Sequence, residues 1–482
     1  MTGSRLASFW PPVVIGVLGL VLLLQPIGGD QALSLLIARR LQGGAVMYRD
    51  VWDIRQPLTF VWYATIGSIF GASGISVRIA EILWQGTLAY LIGRDVTEMS
   101  GSRQRGIITA IAAVGPIFWI MQADDVAQPD TLVLLPIYLA FRAIAKANHS
   151  PIHPRTAVSL GVACTVIGLF KIVYAPLPAL FLLVWVVQRW RERRQAVATS
   201  AWFALGLIVS ALLVVVFFVS TGVWDWVAHT WFVQAPAMRG LSPPPLARLI
   251  RAAGRFVVLT LPVLIGATVT IASLRKRPRD LWTFMAVVWT ITSAIAILAQ
   301  QWWSYLFLAL TVPIGLLAGG PLSRWLATTA RRFAAALLIL VALVATHLFY
   351  FRAVVDRGLD PAAIERSLAR AAVVRSEAAA LLADPESLEG SIFVFGDPLI
   401  LLGVGRESTP SIHGWSPEFY DELTWARLTA ELMATPPAYF LINPNSAEVL
   451  AERAPVLDAW LESEYRNVAT LTADTAVLER LP

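Results

Sequence analysis

The stretch GGDQALSLLIARRLQGGAVMYRDVWDIRQPLTF, Gly28 to Phe60, follows a long apolar run and carries three aspartates and four arginines. Asp30 opens it. A carboxylate at the end of an apolar run faces both lipid head groups and water, which suits a general base that takes a proton from a hydroxyl. An Asp directly before a helix is also a favoured N-cap, and the two roles are compatible. Further on, MYRDVWDIRQP alternates charge with aromatic character through Tyr48, Arg49, Asp50, Trp52, Asp53 and Arg55. A guanidinium offers paired donors to phosphate oxygens, so Arg55, with Arg39 and Arg40 behind it, is a candidate phosphate ligand. The competing reading is a solvated loop with internal salt bridges, which are worth little at a surface. Two more sites stand out. MQADDVAQPDTLVLL holds Asp124, Asp125 and Asp130, costly carboxylates near an apolar core, while Lys171 in GLFKIVYAPLP either snorkels to an interface or meets a phosphate.

These residues need elements to hold them, and composition says which kind. The chain of 482 residues is 57% hydrophobic and 15% charged, with 19 Trp and a mean hydropathy of +0.65. That is the profile of a polytopic α-helical membrane protein. A crossing helix takes about 20 apolar residues, because its backbone polar groups must be satisfied internally. Apolar windows predict spans near 9–27, 77–95, 105–122, 130–147, 156–171, 174–188, 199–221, 250–274, 281–299, 303–320 and 332–351, about 11 in all. The first lacks a small-residue cleavage site and reads as a span rather than a leader.

Basic clusters at Arg103 and Arg105, at 142–155, in QRWRERR, in RKRPR and at Arg324, Arg331 and Arg332 fall on one side of this arrangement. By the positive-inside rule that side is cytoplasmic. The N-terminus is then inside and the C-terminal region outside, across a cytoplasmic (inner) membrane. The net charge of +6 and pI near 9.7 are accounted for by these loops and do not indicate nucleic acid.

The predicted organisation is a transmembrane domain over 1–351, including a long outward loop over 28–76, and a soluble extracytoplasmic α/β domain over 352–482. In the loop, Leu33, Leu36, Ile37 and Leu41 have helical spacing, which predicts an amphipathic helix on the membrane surface. PLTFVWYATIGSIFG is too short to cross comfortably and would invert the charge pattern, so it reads as a second interfacial or re-entrant helix. In the C-terminal part, PAAIERSLARAAVVRSEAAALL predicts a helix, SIFVFG and AYFLINP strands, SAEVLAERAPVLDAWLES a helix, and NVATLT and AVLERL strands.

Several chemistries lack their signals. Cys164 is the single cysteine, so no disulfide forms within the chain. No H-E-x-x-H or P-loop motif is present, GVG at 403–405 is too short to hold phosphate, and HSPIH is a poor metal site. No metal is assigned, although whether a divalent metal assists is open.

The order of first span, Asp30, helix, Gly44, YRDVWDIRQPL, short apolar helix and FGASGISVRIAEIL resembles the C-type membrane glycosyltransferase superfamily, closest to its protein O-mannosyltransferase and aminoarabinose transferase relatives. Tyr48, Asp50, Trp52, Asp53, Pro57, Leu58, Phe70, Gly71, Ser73 and Arg78 match the family pattern, and QQWWSYLFLALTVPIGLLAG resembles its late span. The likeness covers the N-terminal 100 residues and elsewhere only the layout. Two departures are Gln31, where an acidic residue commonly follows the key Asp, and Arg55–Gln56 in place of Lys–Pro.

The resemblance implies transfer of a single sugar, with inversion, from a polyprenyl-phosphate donor to a lipid, glycan or protein acceptor on the outer face. Asp30 would be the general base. Arg55, and more weakly Arg39, Arg40 and Lys171, would bind the donor phosphate. Asp125, Asp130, Tyr48, Asp50 and Asp53 would position acceptor or sugar. Two alternatives are a transporter or flippase of lipid-linked sugars and a non-catalytic envelope assembly protein. Clear repeats and mid-membrane charges, expected of a transporter, are not evident.

Overall fold

The computed structural model describes residues 10–25, 27–122, 125–148, 150–274, 280–357, 390–404, 408, 410–471 and 474–482. By contact the chain forms two compact units. The first comprises 1–23, 77–220 and 244–348; the second comprises 24–76, 221–243 and 349–482.

The first unit is helical. Across the described residues, six helices are long and apolar enough to cross a membrane: Gly74–Ser100, Trp190–Ser220, Leu246–Ser273, Leu281–Leu298, Ser304–Trp325 and Thr329–Leu348. Shorter apolar helices include Trp10–Leu23, Pro154–Phe170 and Ile172–Gln188. Each corresponds to an apolar window of the sequence, and the fold is that of a polytopic membrane protein. The first window is not one regular helix: an α-helix, Trp10–Gly19, runs into a 3-10 turn, Leu20–Leu24.

Lipid is as apolar as leucine, so helices here associate by close packing rather than by hiding from water. Glycine supplies the contact surfaces. A Cβ on Gly161 would lie 2.2 Å from the Phe203 carbonyl oxygen, and one on Gly206 would lie 2.2 Å from the Val158 carbonyl oxygen. The Pro154–Phe170 and Arg193–Ser220 helices therefore meet backbone to backbone. Outside that seam the second helix exposes Leu212, Leu213, Val216 and Phe217. One buried carboxylate of the unit is paired with several cations. Asp95, 2% exposed, accepts from Arg142 and lies 3.3 Å from Lys146 and 3.6 Å from Arg94.

The second unit is built on a four-stranded sheet of β1 (Ile392–Phe395), β2 (Tyr439–Ile442), β3 (Tyr465–Leu471) and β4 (Thr475–Arg480), in the order β1-β2-β4-β3. β1 and β2 are parallel; the other pairs are antiparallel. Alternation along the strands divides the core. Ile392, Val394, Tyr439, Leu441 and Val477 gather on one face with Ile400 and Leu401. Phe393, Phe395 and Phe440 meet one another, with Trp425 against Phe395 and Trp460 against Phe440.

All four predicted strands are present. The helix expected over SAEVLAERAPVLDAWLES is two, Pro444–Arg453 and Pro455–Glu464. The break has a local cause: Pro455 has no N–H to donate and restricts Ala454, so a new helix starts with Pro in its first turn. Two further helices, Leu399–Val404 and Glu422–Ala434, stand between the predicted strands. The helix expected over PAAIERSLARAAVVRSEAAALL lies outside the described residues.

The loop over 28–76 supplies a helix to this core. Gly29–Gln42 buries Leu33 and Ile37 as its spacing requires, but also Gln31, Ala32, Ser34, Leu35 and Ala38, and its Leu36 packs against the sheet cluster. It is thus a helix packed within the unit on more than its one predicted apolar face. The Leu58–Phe70 helix lies beside it, tied by Gln42 Nε2, which donates to the Ala64 carbonyl (2.8 Å) and the Ser68 hydroxyl (3.0 Å). At 13 residues it rises about 20 Å, short of a bilayer core.

Candidate active site

Asp30 occupies the first turn of Gly29–Gln42, but the cap is Gly28. The Gln31 side chain accepts from the Gly28 N–H at 2.9 Å and closes the helix start from its third residue. Gln31, the departure from the family pattern, therefore has a structural task. Asp30 is not the capping residue, and its side chain, 29% exposed, is within reach of solvent.

The Ala45–Pro57 loop brings a cation to that carboxylate. Asp53, 6% exposed, accepts from the Arg55 backbone N–H at 2.8 Å and from Arg55 Nε and Nη2 at 2.9 Å each. This fork-on-fork grip fixes the guanidinium plane. Arg55 Nη1 then lies 4.0 Å from Asp30 Oδ1, and the guanidinium sits 5.2 Å from the centre of the Phe60 ring.

Tyr48 and Asp50 hold the loop itself. Tyr48 is fully buried at a left-handed φ of 71°. Its hydroxyl donates to the Arg55 carbonyl (2.9 Å) and accepts from Trp231 Nε1 (2.8 Å). Burial pushes that hydroxyl well above its ordinary pKa, against the Trp231 hydrogen bond, so it stays protonated. Arg427 donates to the carbonyls of Tyr48 (3.1 Å) and Arg49 (2.7 Å), fixing the strained turn. Asp50 is bridged by Arg49 and accepts from the Val46 N–H at 2.7 Å; the Arg49 hydrogen bonds hold it below the usual carboxylate range.

Arg39 and Arg40 lie in the last turn of the Gly29–Gln42 helix, about 13 Å of rise from Asp30. Arg39 donates to the Ala72 carbonyl and Arg40 to the Pro410 carbonyl. The arrangement gathers Arg55 with Asp30 and leaves these two arginines at the other end of the helix.

In the first unit Lys171 and Asp130 meet. Lys171 Nζ is 2.5 Å from Asp130 Oδ2, and the Tyr174 hydroxyl donates to Oδ1 at 3.2 Å. Asp130 is fully buried, so Lys171 is an ion-paired residue rather than a snorkelling one. Asp125 accepts from the Gln122 N–H (2.9 Å) and the Ser304 hydroxyl (3.2 Å). Asp124 lies outside the described residues. Among the described residues no group of three or more His, Cys, Asp or Glu side chains is placed to hold a metal ion.

Three residues around Asp30 and its loop have no counterpart among the sequence candidates. Trp415 Nε1 donates to Asp30 Oδ1 at 2.9 Å. A Cβ on Gly29 would lie 3.2 Å from Asp397 Oδ1. His413 is 6% exposed with neither ring nitrogen hydrogen-bonded. Burial, reinforced by the charge of Arg40 and opposed by Asp53, pushes this imidazole down to about 4, so it is neutral near pH 7. The local signal for Trp415 and His413 is a second dense run of polar and aromatic residues, SIHGWSPEFYDE, resembling MYRDVWDIRQP in character.

No protein-family model matches the sequence, and no curated protein matches it. Solved structures do. ArnT from Cupriavidus metallidurans bound to undecaprenyl phosphate superposes with a TM-score of 0.60 at 16% identity, over 100% of this chain and 98% of that one. The same protein in the apo state gives 0.57 at 15% identity, over 100% and 98%. A likeness too weak to argue from, at 0.48 and 13% over 98% of this chain and 74% of the other, is to the Archaeoglobus fulgidus oligosaccharyltransferase AglB. The chain therefore has the fold of ArnT from Cupriavidus metallidurans.

Proposed function

We propose that this protein is an integral-membrane glycosyltransferase that moves a single sugar from a polyprenyl-phosphate donor to an acceptor hydroxyl on the outer face, with inversion. The observation that carries the reading is the alignment of Asp53, Arg55 and Asp30: a guanidinium clamped by one carboxylate and turned toward a second, solvent-reachable one. The fold shared with ArnT, whose structure holds undecaprenyl phosphate, supports a lipid phosphate as the leaving group.

In the proposed reaction Asp30 takes the acceptor hydroxyl proton as that oxygen attacks the anomeric carbon. The bond from that carbon to the phosphate oxygen breaks, and its electron pair leaves with the polyprenyl phosphate. Negative charge grows on the leaving phosphate, where Arg55 offers donors in a plane set by Asp53. Arg55 would meet an arriving phosphate in the plane that Asp53 sets. Tyr48 and Asp50 keep the loop in shape. Lys171, Asp130 and Asp125 are assigned no step.

The test uses purified protein in detergent or liposomes, a polyprenyl-phosphate sugar and a panel of hydroxyl acceptors. Asp30→Asn is expected to lower turnover by about 10² to 10⁴ while donor binding persists. Donor translocation across liposomes that survives Asp30→Asn, with no sugar transfer in the unsubstituted protein, would overturn the reading in favour of a flippase.

A further inference from the structure

The C-terminal part contributes more than bulk to the neighbourhood of Asp30. Trp415, 385 residues away in sequence, donates its indole N–H to Asp30 Oδ1 at 2.9 Å. The indole is also fixed from the side: a Cβ at Gly29 would fall 2.7 Å from Trp415 Cη2 and 2.8 Å from Cζ2. Position 29 must lack a side chain for the ring to lie there.

The backbone around Trp415 is anchored at several points. The Trp52 N–H donates to the Ser411 carbonyl at 2.8 Å, and the Gly396 N–H to the Gly414 carbonyl at 3.1 Å. Glu431 accepts from the Ser411 N–H and hydroxyl at 2.6 and 2.7 Å. The Tyr420 hydroxyl bonds the carbonyls of His413 and Trp415. A rigid segment thus presents a rigid donor to one oxygen of the carboxylate, the same oxygen that Arg55 Nη1 faces.

We propose that Trp415 is a positioning residue for Asp30, and that the segment 411–415 of the C-terminal part is a working piece of the site. This rests on the reading of Asp30 as general base. A fixed donor on Oδ1 sets the orientation of the carboxylate. Trp415 itself neither accepts nor releases the transferred proton.

Trp415→Phe keeps a ring against Gly29 and removes the N–H. Its kcat for sugar transfer is expected to fall about tenfold, with the donor KM within about twofold of the parent because ground-state binding is untouched. Gly29→Ala, which displaces the indole, should lower kcat in the same way. In an Asp30→Asn background Trp415→Phe should have no further effect, a coupling that a merely structural residue would not show.

An unchanged kcat in both variants, or equal losses from Trp415→Phe in the presence and absence of the Asp30 carboxylate, overturns the positioning role while leaving the base in place. Full transfer activity in Asp30→Asn overturns the base itself, and the positioning role with it.

Discussion

Arg55 is held along two edges of its guanidinium, Nε and Nη2 on Asp53 and Nη1 facing Asp30. A lysine carries the same charge but presents a point rather than a fork. Arg55→Lys is therefore expected to lower kcat for transfer by about tenfold to a hundredfold, measured with a polyprenyl-phosphate sugar at saturating acceptor. His413 gives a prediction of a different kind. Its imidazole ordinarily titrates near 6.5 and is pushed down to about 4 in the fold. On acidification the unfolded chain takes up the proton first. The stability contributed by the neutral ring is thus complete above 6.5 and lost as pH falls toward 4, in total about 3 kcal/mol. A thermal-shift series over that range should show the apparent Tm of the parent falling, and His413→Phe should flatten the decline.

Among the elements, helices of the first unit were the most legible, because a long apolar run has few other fates. The strands β1 and β2 were legible for a related reason: IFVF and YFLI are short, continuously apolar and bounded by Gly, Asp, Pro and Asn. The depth to which Gly29–Gln42 is buried was not legible. Its Gln31, Ser34 and Ala38 look like an exposed face until Leu58–Phe70 and the sheet are placed against it. Seams are legible only after folding, since a glycine in an apolar helix does not announce its neighbour. Gly161→Val, driven against a carbonyl oxygen 2.2 Å from the would-be Cβ, is expected to destabilise by about 1 to 3 kcal/mol or more. The check is a lowered apparent Tm in detergent, while Gly254→Val, with open space around it, should leave Tm within about a degree or two.

At the scale of the whole molecule, the basic loops predict an N-terminus inside and a C-terminal part outside. A labelling experiment reads this directly, because Cys164 is buried and is the single cysteine of the chain. With Cys164→Ser, Glu462→Cys is expected to react with a membrane-impermeant maleimide in intact cells, and Arg193→Cys only after permeabilisation. The candidate site was legible on one side only. Asp30, Asp53 and Arg55 announce themselves by charge amid apolar sequence, whereas Trp415 belongs to the site through a contact that no local periodicity encodes.

That long separation also has a consequence in time. At about 5 to 20 residues per second, Asp30 leaves the ribosome tens of seconds before Trp415, which lies 385 residues later. Through that interval the carboxylate lacks its indole, and the sheet that receives Leu36 has not yet been made. A chain cut short by a late stop codon would deliver an inserted bundle in which Asp30 never meets Trp415.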